Sequence, residues 1–254
     1  MPQVKKRIFA GDTCDQIVYS ITDADEAKGR TGKPRVRFNN EQERAEFNDR
    51  RGLRRFTRQI NENFSTSSFY GTLTFDDENE VHTFEDAKRI RANFKRALLR
   101  KCPDAKIVIV MGRGKNTSRI HFHFIIDGID AEAIAKMWKY GGVIHITQLR
   151  AHNYYNGTDY GKDYSSLAAY LWGHWTPEQG RYHYVHSNLT QPEERGEKEK
   201  VCKRTYRPDR PPKAPKGFKL REVTYNKYGY ICFHYTKETD AERRKREKEK
   251  KQKE

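Results

Sequence analysis

The stretch "RIHFHFIID", residues 119–127, carries two histidines, His121 and His123, one residue apart in an apolar run. In an extended chain successive side chains alternate in direction, so both imidazoles share one face while Ile120, Phe122, Phe124 and Ile126 share the other. One face suits a core and the other a ligand. Neutral imidazoles side by side offer two metal-ligand lone pairs, and a divalent ion held there can polarise a phosphate oxygen. By itself, His-x-His is more often an ordinary structural or solvent-facing pair. A candidate nucleophile adds weight to the functional reading: Tyr170, in "SSLAAYLWGHW", lies on a helix-like segment further along the chain. A tyrosine that attacks a phosphodiester conserves the bond energy in a phosphotyrosyl link for later rejoining. Tyr160 and Tyr164, four residues apart in a Gly- and Asp-rich setting, are alternative nucleophiles. The innocent alternative is that Leu167, Tyr170, Leu171 and His174 mark one packed helix face.

These residues need elements to hold them. "FYGTLTF" (69–75) alternates β-branched and aromatic residues and predicts a strand. Thr83 opens a helix with an acidic first turn, apolar positions at helical spacing and basic residues towards its end, and Pro103 stops it. "KIVIVM" (106–111) is short and β-branched, as a buried strand is, and "GRGKNTS" supplies a turn before the histidine strand. A helix over 131–139 is closed by "YGG", and a strand returns over 143–149. The order strand, helix, strand, strand, helix, strand predicts an α+β fold. It is the ferredoxin-like, RRM-like arrangement of one antiparallel sheet with helices on one face and the histidines on the open face. A further helix over 164–174 carries Tyr170.

Around this core, residues 39–63 predict one helix or two broken near Gly52. Residues 1–38 read as an irregular N-terminal lead-in and 39–193 as the core domain. Residues 194–238 read as a Pro-rich connector with a possible hairpin around Asn226 to Gly229, and 239–254 as a charged tail, disordered or an exposed helix.

The composition is 35% hydrophobic and 34% charged, with 51 Lys and Arg against 35 acids and a formal charge of +16. Such charge favours a polyanionic partner, nucleic acid first. A membrane is disfavoured, since no apolar run is long enough to span one and the N-terminus lacks a signal-peptide apolar region, so a soluble intracellular protein is expected. The four cysteines form no Cys-x-x-Cys pair, and no G-x-x-x-x-G-K-[ST] loop marks a helicase motor. Arg113, Lys115 and Arg119 beside the histidine strand and Trp172 and Trp175 beyond Tyr170 are candidates for a basic, aromatic single-strand groove, whereas Trp138 suits the core.

The ordered set "YGTLTFDD", "RIHFHFIID", "MWKYGGVIHI", "SSLAAYLWGHW" and "SNLTQPE" resembles the HUH-family single-strand DNA endonucleases. The closest resemblance is to rolling-circle replication initiators of phages and plasmids with a gene-II-protein-like domain. It implies that His121 and His123 bind Mg²⁺ or Mn²⁺. It also implies that Tyr170 cuts one DNA strand, becoming joined to its 5′ phosphate and leaving a 3′ hydroxyl. The implied partners are single-stranded or hairpin DNA at a replication origin and a host helicase and polymerase, with no membrane, in the cytoplasm of a bacterial host cell. The chain departs from the family pattern at Gly112, where relatives commonly have a glutamate, and at Gly173, where they tend to have a lysine. His174, one helical turn after Tyr170, is the candidate replacement as third metal ligand or proton acceptor. Two other readings stay open: a noncatalytic single-stranded nucleic-acid-binding module, and a single-tyrosine transposase or relaxase.

Overall fold

The structure, a computed structural model, describes residues 2–21, 23, 28, 37–114, 119–180, 182–192 and 200–251. Along the chain the elements are β1 (Gln3–Ala10), β2 (Thr13–Ser20), α1 (Glu41–Asn63), β3 (Phe69–Thr74), α2 (Phe84–Lys101), β4 (Lys106–Arg113) and β5 (Ile120–Asp127). They continue with α3 (Ala131–Met137), β6 (Val143–Gln148), β7 (Tyr154–Tyr155), β8 (Thr158–Asp159) and α4 (Ser165–Trp172). After a 3₁₀ turn over Pro177–Gln179 come β9 (Tyr184–Ser187), β10 (Lys200–Val201), β11 (Phe218–Tyr225), β12 (Tyr230–Lys237) and α5 (Asp240–Lys251). This is the expected α+β class, with antiparallel sheets. The chain divides into two compact units, Asn63–Ala151 with Tyr164–Thr190, and Met1–Glu62 with His152–Asp163 and Gln191–Glu254.

The unit containing β3 to β6 has one sheet in the order β6-β3-β5-β4-β9, with every neighbouring pair antiparallel. Its first four strands take the ferredoxin-like order, and the tyrosine- and histidine-rich segment after the Tyr170 helix adds β9 at the edge beside β4. The alternation in β5 sends Ile120, Phe122, Phe124 and Ile126 into a core shared with Ile107, Ile109 and Met111 of β4 and Ala87, Phe94 and Leu98 of α2. Thr83 caps α2 by accepting from the Asp86 amide, as its position predicts. Trp138 is buried in this core and donates its indole N–H to the Thr74 carbonyl. At Gly71 of β3, a Cβ would lie 2.4 Å from the Phe124 ring and 2.5 Å from the His145 carbonyl. Gly71→Ala is therefore expected to cost about 1–3 kcal/mol by overpacking, measurable as a lower thermal midpoint.

The other sheet face departs from the expectation of an open surface. Val108, Val110, His123 and Ile125 on it are buried, and rings from the α4 segment lie against the histidines. Apolar side chains on both faces of β4 and β5 need a cover on each side.

The second unit corrects the reading of the chain ends. Residues 3–20, expected as part of an irregular lead-in, form β1 and β2, which pair with the C-terminal hairpin in a sheet ordered β10-β1-β2-β12-β11. The hairpin turns where expected, with Asn226 Oδ1 accepting from the Tyr228 and Tyr230 amides and Gly229 at φ +79. The Pro-rich connector is not a free spacer. Its Pro212 carbonyl accepts from the Tyr235 hydroxyl and its Lys213 carbonyl from Gln16. α1 runs through Gly52 as one 23-residue helix and belongs mostly to this unit, so the expected core domain 39–193 is not one contiguous body. The charged tail forms helix α5, with Glu242 held by Lys219 and Arg221. Among the described residues, no helix is long and apolar enough to cross a membrane.

Candidate functional site

β5 presents His121 and His123 on the sheet face away from the α2 core. Register then selects their neighbours: β3 sets Thr74 opposite His121 and Thr72 opposite His123, and β4 sets Gly112 opposite His121. α4 supplies the remainder. Tyr164, Ala168 and Leu171, spaced four and three residues apart, are buried on one side of the helix. The neighbouring side carries Tyr170 and His174, one turn apart. The Tyr170 ring centre lies 5.3 Å from that of His123 and 4.7 Å from that of His174, and His174 lies 4.3 Å from His123.

The ligand atoms of His121, His123 and His174 all lie within 4.8 Å of one another, and the Nε2 atoms of His121 and His123 are 3.2 Å apart. Bonds of about 2.1 Å at a tetrahedral centre put nitrogen donors about 3.4 Å apart, so the three imidazoles fit a divalent ion after small side-chain rotations. Their protonation suits that role. Burial pushes His121 down, and burial followed by the neighbouring His174 and His121 pushes His123 down to about 3, so both are neutral near pH 7. A carbonyl only accepts, so the 3.4 Å contact from His121 Nδ1 to the Arg119 carbonyl puts the ring proton on Nδ1. His123 Nδ1 faces Thr72 Oγ1 at 3.0 Å, and a proton donated there likewise leaves Nε2 as the lone-pair donor.

Gly112 sits against this cluster. A Cβ on it would stand 2.8 Å from His121 Nε2 and 2.8 Å from His174 Nδ1. The residue that departs from the resembled pattern therefore leaves open, for want of a side chain, the space in which the third imidazole sits. A further member was missed in the sequence. Tyr70 of β3 lies 3.4 Å from His123 Nδ1 and hydrogen-bonds to the Tyr170 hydroxyl. Burial, then the adjacent Tyr170, pushes Tyr70 up to about 12, so this phenol keeps its proton and serves as a donor. Alternation in "YGTLTF" puts Tyr70 and Thr72 on one face, but only cross-strand register sets that face against His123.

The other candidates are placed as follows. Tyr164 is buried and donates its hydroxyl to the Arg150 carbonyl, a packing role. Tyr160 belongs to the other unit, with Arg221 over its ring. Arg113 is exposed and lies over the Phe84 ring, whereas Arg119 pairs with Asp77 at 2.5 Å and Glu80 at 3.1 Å. Lys115 lies outside the described residues. Trp172 and Trp175 both stack on the His183 ring, with ring centres 3.7 and 4.1 Å from it, so each has one face already occupied by an intramolecular stack.

No curated protein and no solved structure matches the chain. Residues 68–172, from the start of β3 to the end of α4, match the family model described as replication-associated protein ORF2/G2P, a span that includes His121, His123 and Tyr170 and stops short of His174. That match, over the same segment that builds the histidine cluster, supports a replication-initiator role for this chain with DNA as its partner.

Proposed function

We propose that the chain nicks and rejoins single-stranded DNA through a 5′-phosphotyrosine, as the HUH-family initiators it resembles do, to start rolling-circle replication of a phage or plasmid. The observation that carries this reading is the meeting of Tyr170 with His121, His123 and His174 on one sheet face. Tyr170 is 51% exposed, so its phenol is accessible to a strand laid over the cluster. In the cutting step the Tyr170 oxygen bonds to the scissile phosphorus, the bond from phosphorus to the 3′ oxygen breaks, and the phenol proton ends, net, on that 3′ oxygen. His121, His123 and His174 would hold a divalent ion, which would supply Lewis-acid polarisation of the phosphate. Thr72 fixes the orientation of His123, and Tyr70 donates a hydrogen bond to the attacking oxygen.

The test is incubation of the purified chain with end-labelled single strands and Mn²⁺, followed by denaturing gel analysis. A protein band carrying label, absent with chelator, is expected; binding without any adduct would leave only a nucleic-acid-binding module. Tyr70→Phe removes one hydrogen bond to an oxygen that bears charge during transfer, a loss of about 1.5–3 kcal/mol. Adduct formation is expected to slow about 10–100-fold in single-turnover assays, with DNA affinity retained.

A further inference from the structure

We propose that His174 makes the metal centre a clasp between the sheet and the nucleophile helix, and that this all-imidazole clasp selects a nitrogen-preferring dication of the Zn²⁺ class over Mg²⁺. The inference rests on reading the cluster as the metal centre of the proposed strand transfer. Three observations carry it. The donor set is three ring nitrogens, and imidazole suits zinc and its neighbours whereas Mg²⁺ prefers oxygen. The third donor comes from the α4 segment, four residues after Tyr170, and not from the sheet. Finally, residue 112 leaves room for it by having no side chain, since a Cβ there would stand 2.8 Å from both His121 Nε2 and His174 Nδ1 and crowd the two rings. A side chain at residue 112 would therefore push the His121 or His174 ring from its present position.

The arrangement has a mechanical consequence. Two ligands on β5 and a third beyond the end of α4 tie that helix to the sheet whenever the centre is filled. Metal loading and placement of Tyr170 become one event, because both residues ride on the same turn. A third ligand borne on the sheet would leave the helix free of the metal.

The test uses the untagged full chain without DNA. Calorimetric titrations with ZnCl₂, MnCl₂ and MgCl₂ are compared for wild type, His174→Ala, His174→Gln and Gly112→Glu, after melting curves in chelator identify the variants that fold. One Zn²⁺ per chain is expected, bound at least about 10³-fold more tightly than Mg²⁺. Either substitution of His174 should weaken Zn²⁺ binding at least about 10-fold, and Gly112→Glu should weaken Zn²⁺ while strengthening Mg²⁺. Hydrogen exchange of the 165–174 amides should slow on adding Zn²⁺ in wild type and be unchanged in the His174 variants. Zn²⁺ binding indifferent to His174, Mg²⁺ binding as tight as Zn²⁺, or helix exchange unaffected by metal would each overturn the proposal. A chain that clasps Zn²⁺ through His174 but forms no DNA adduct keeps the clasp and loses strand transfer, and an adduct made with a metal held independently of His174 does the opposite.

Discussion

Tyr170→Phe is expected to abolish the covalent complex with single-stranded DNA, lowering adduct formation by about 10⁴-fold or more, because nothing replaces a lost nucleophile. The expectation is specific to one phenol among several. Tyr164 is buried with its hydroxyl on the Arg150 carbonyl, so Tyr164→Phe should affect folding more than cutting. Tyr70 stands beside Tyr170 but is held on a strand with its proton retained, which suits a donor better than a nucleophile. DNA binding should survive in Tyr170→Phe, since only one half-exposed hydroxyl is removed. A labelled-oligonucleotide gel of the three single variants decides the assignment. An adduct that persists in Tyr170→Phe and vanishes in Tyr70→Phe would transfer the nucleophile role to Tyr70.

The second large effect lies in the other unit and concerns stability. Asp15 of β2 accepts from Arg58 of α1 at 2.6 Å and bonds to His234 Nδ1 of β12 at 2.7 Å, and His234 Nε2 bonds to Asp163 at 2.8 Å. Burial works against both charges in the centre of this cluster. It is outweighed at His234 by hydrogen bonds and charge from Asp15 and Asp163, which push the imidazole up to about 10. At Asp15, Arg58 and then His234 hold the carboxyl well below the usual carboxylate range. Two acids and two cations thus balance in the interior, and Asp15→Asn removes the carboxylate that bridges Arg58 and His234 Nδ1, leaving two cations with only Asp163, on the Nε2 side of the imidazole. A broken buried cluster of this kind costs about 3–5 kcal/mol, a fall in melting midpoint on the order of 10 °C.

The same cluster sets a pH dependence. A raised histidine pKa means that the His234 contribution is complete below its unfolded value near 6.5 and fades as pH climbs towards 10. The Asp15 contribution is complete above the usual carboxylate range and is lost on acidification. Melting curves across pH 5–10 should therefore show wild-type stability declining on the alkaline side, and His234→Gln should flatten that decline. A wild-type midpoint that stays constant from pH 6.5 to 10 would contradict the buried imidazolium.

What could be read from the chain alone was local. Alternation in β5 put both histidines on one face, the cap at Thr83 and the run "KIVIVM" delimited α2 and β4, and strand order set the sheet, because periodicity of 2 or 3.6 records which side of an element is apolar. Tyr170 and His174 were legible as neighbours for the same reason: they stand one helical turn apart. Tertiary structure decided everything that depends on long separations. No local pattern links β1 and β2 to β12, or Asp15 to Arg58, Asp163 and His234, since strand register and buried ion clusters are chosen by packing across the whole unit. Nor does composition reveal that Tyr70 meets Tyr170, or that a missing Cβ at Gly112 makes room for His174: those are facts of distance, created only when β3, β4, β5 and α4 are brought within a few ångströms.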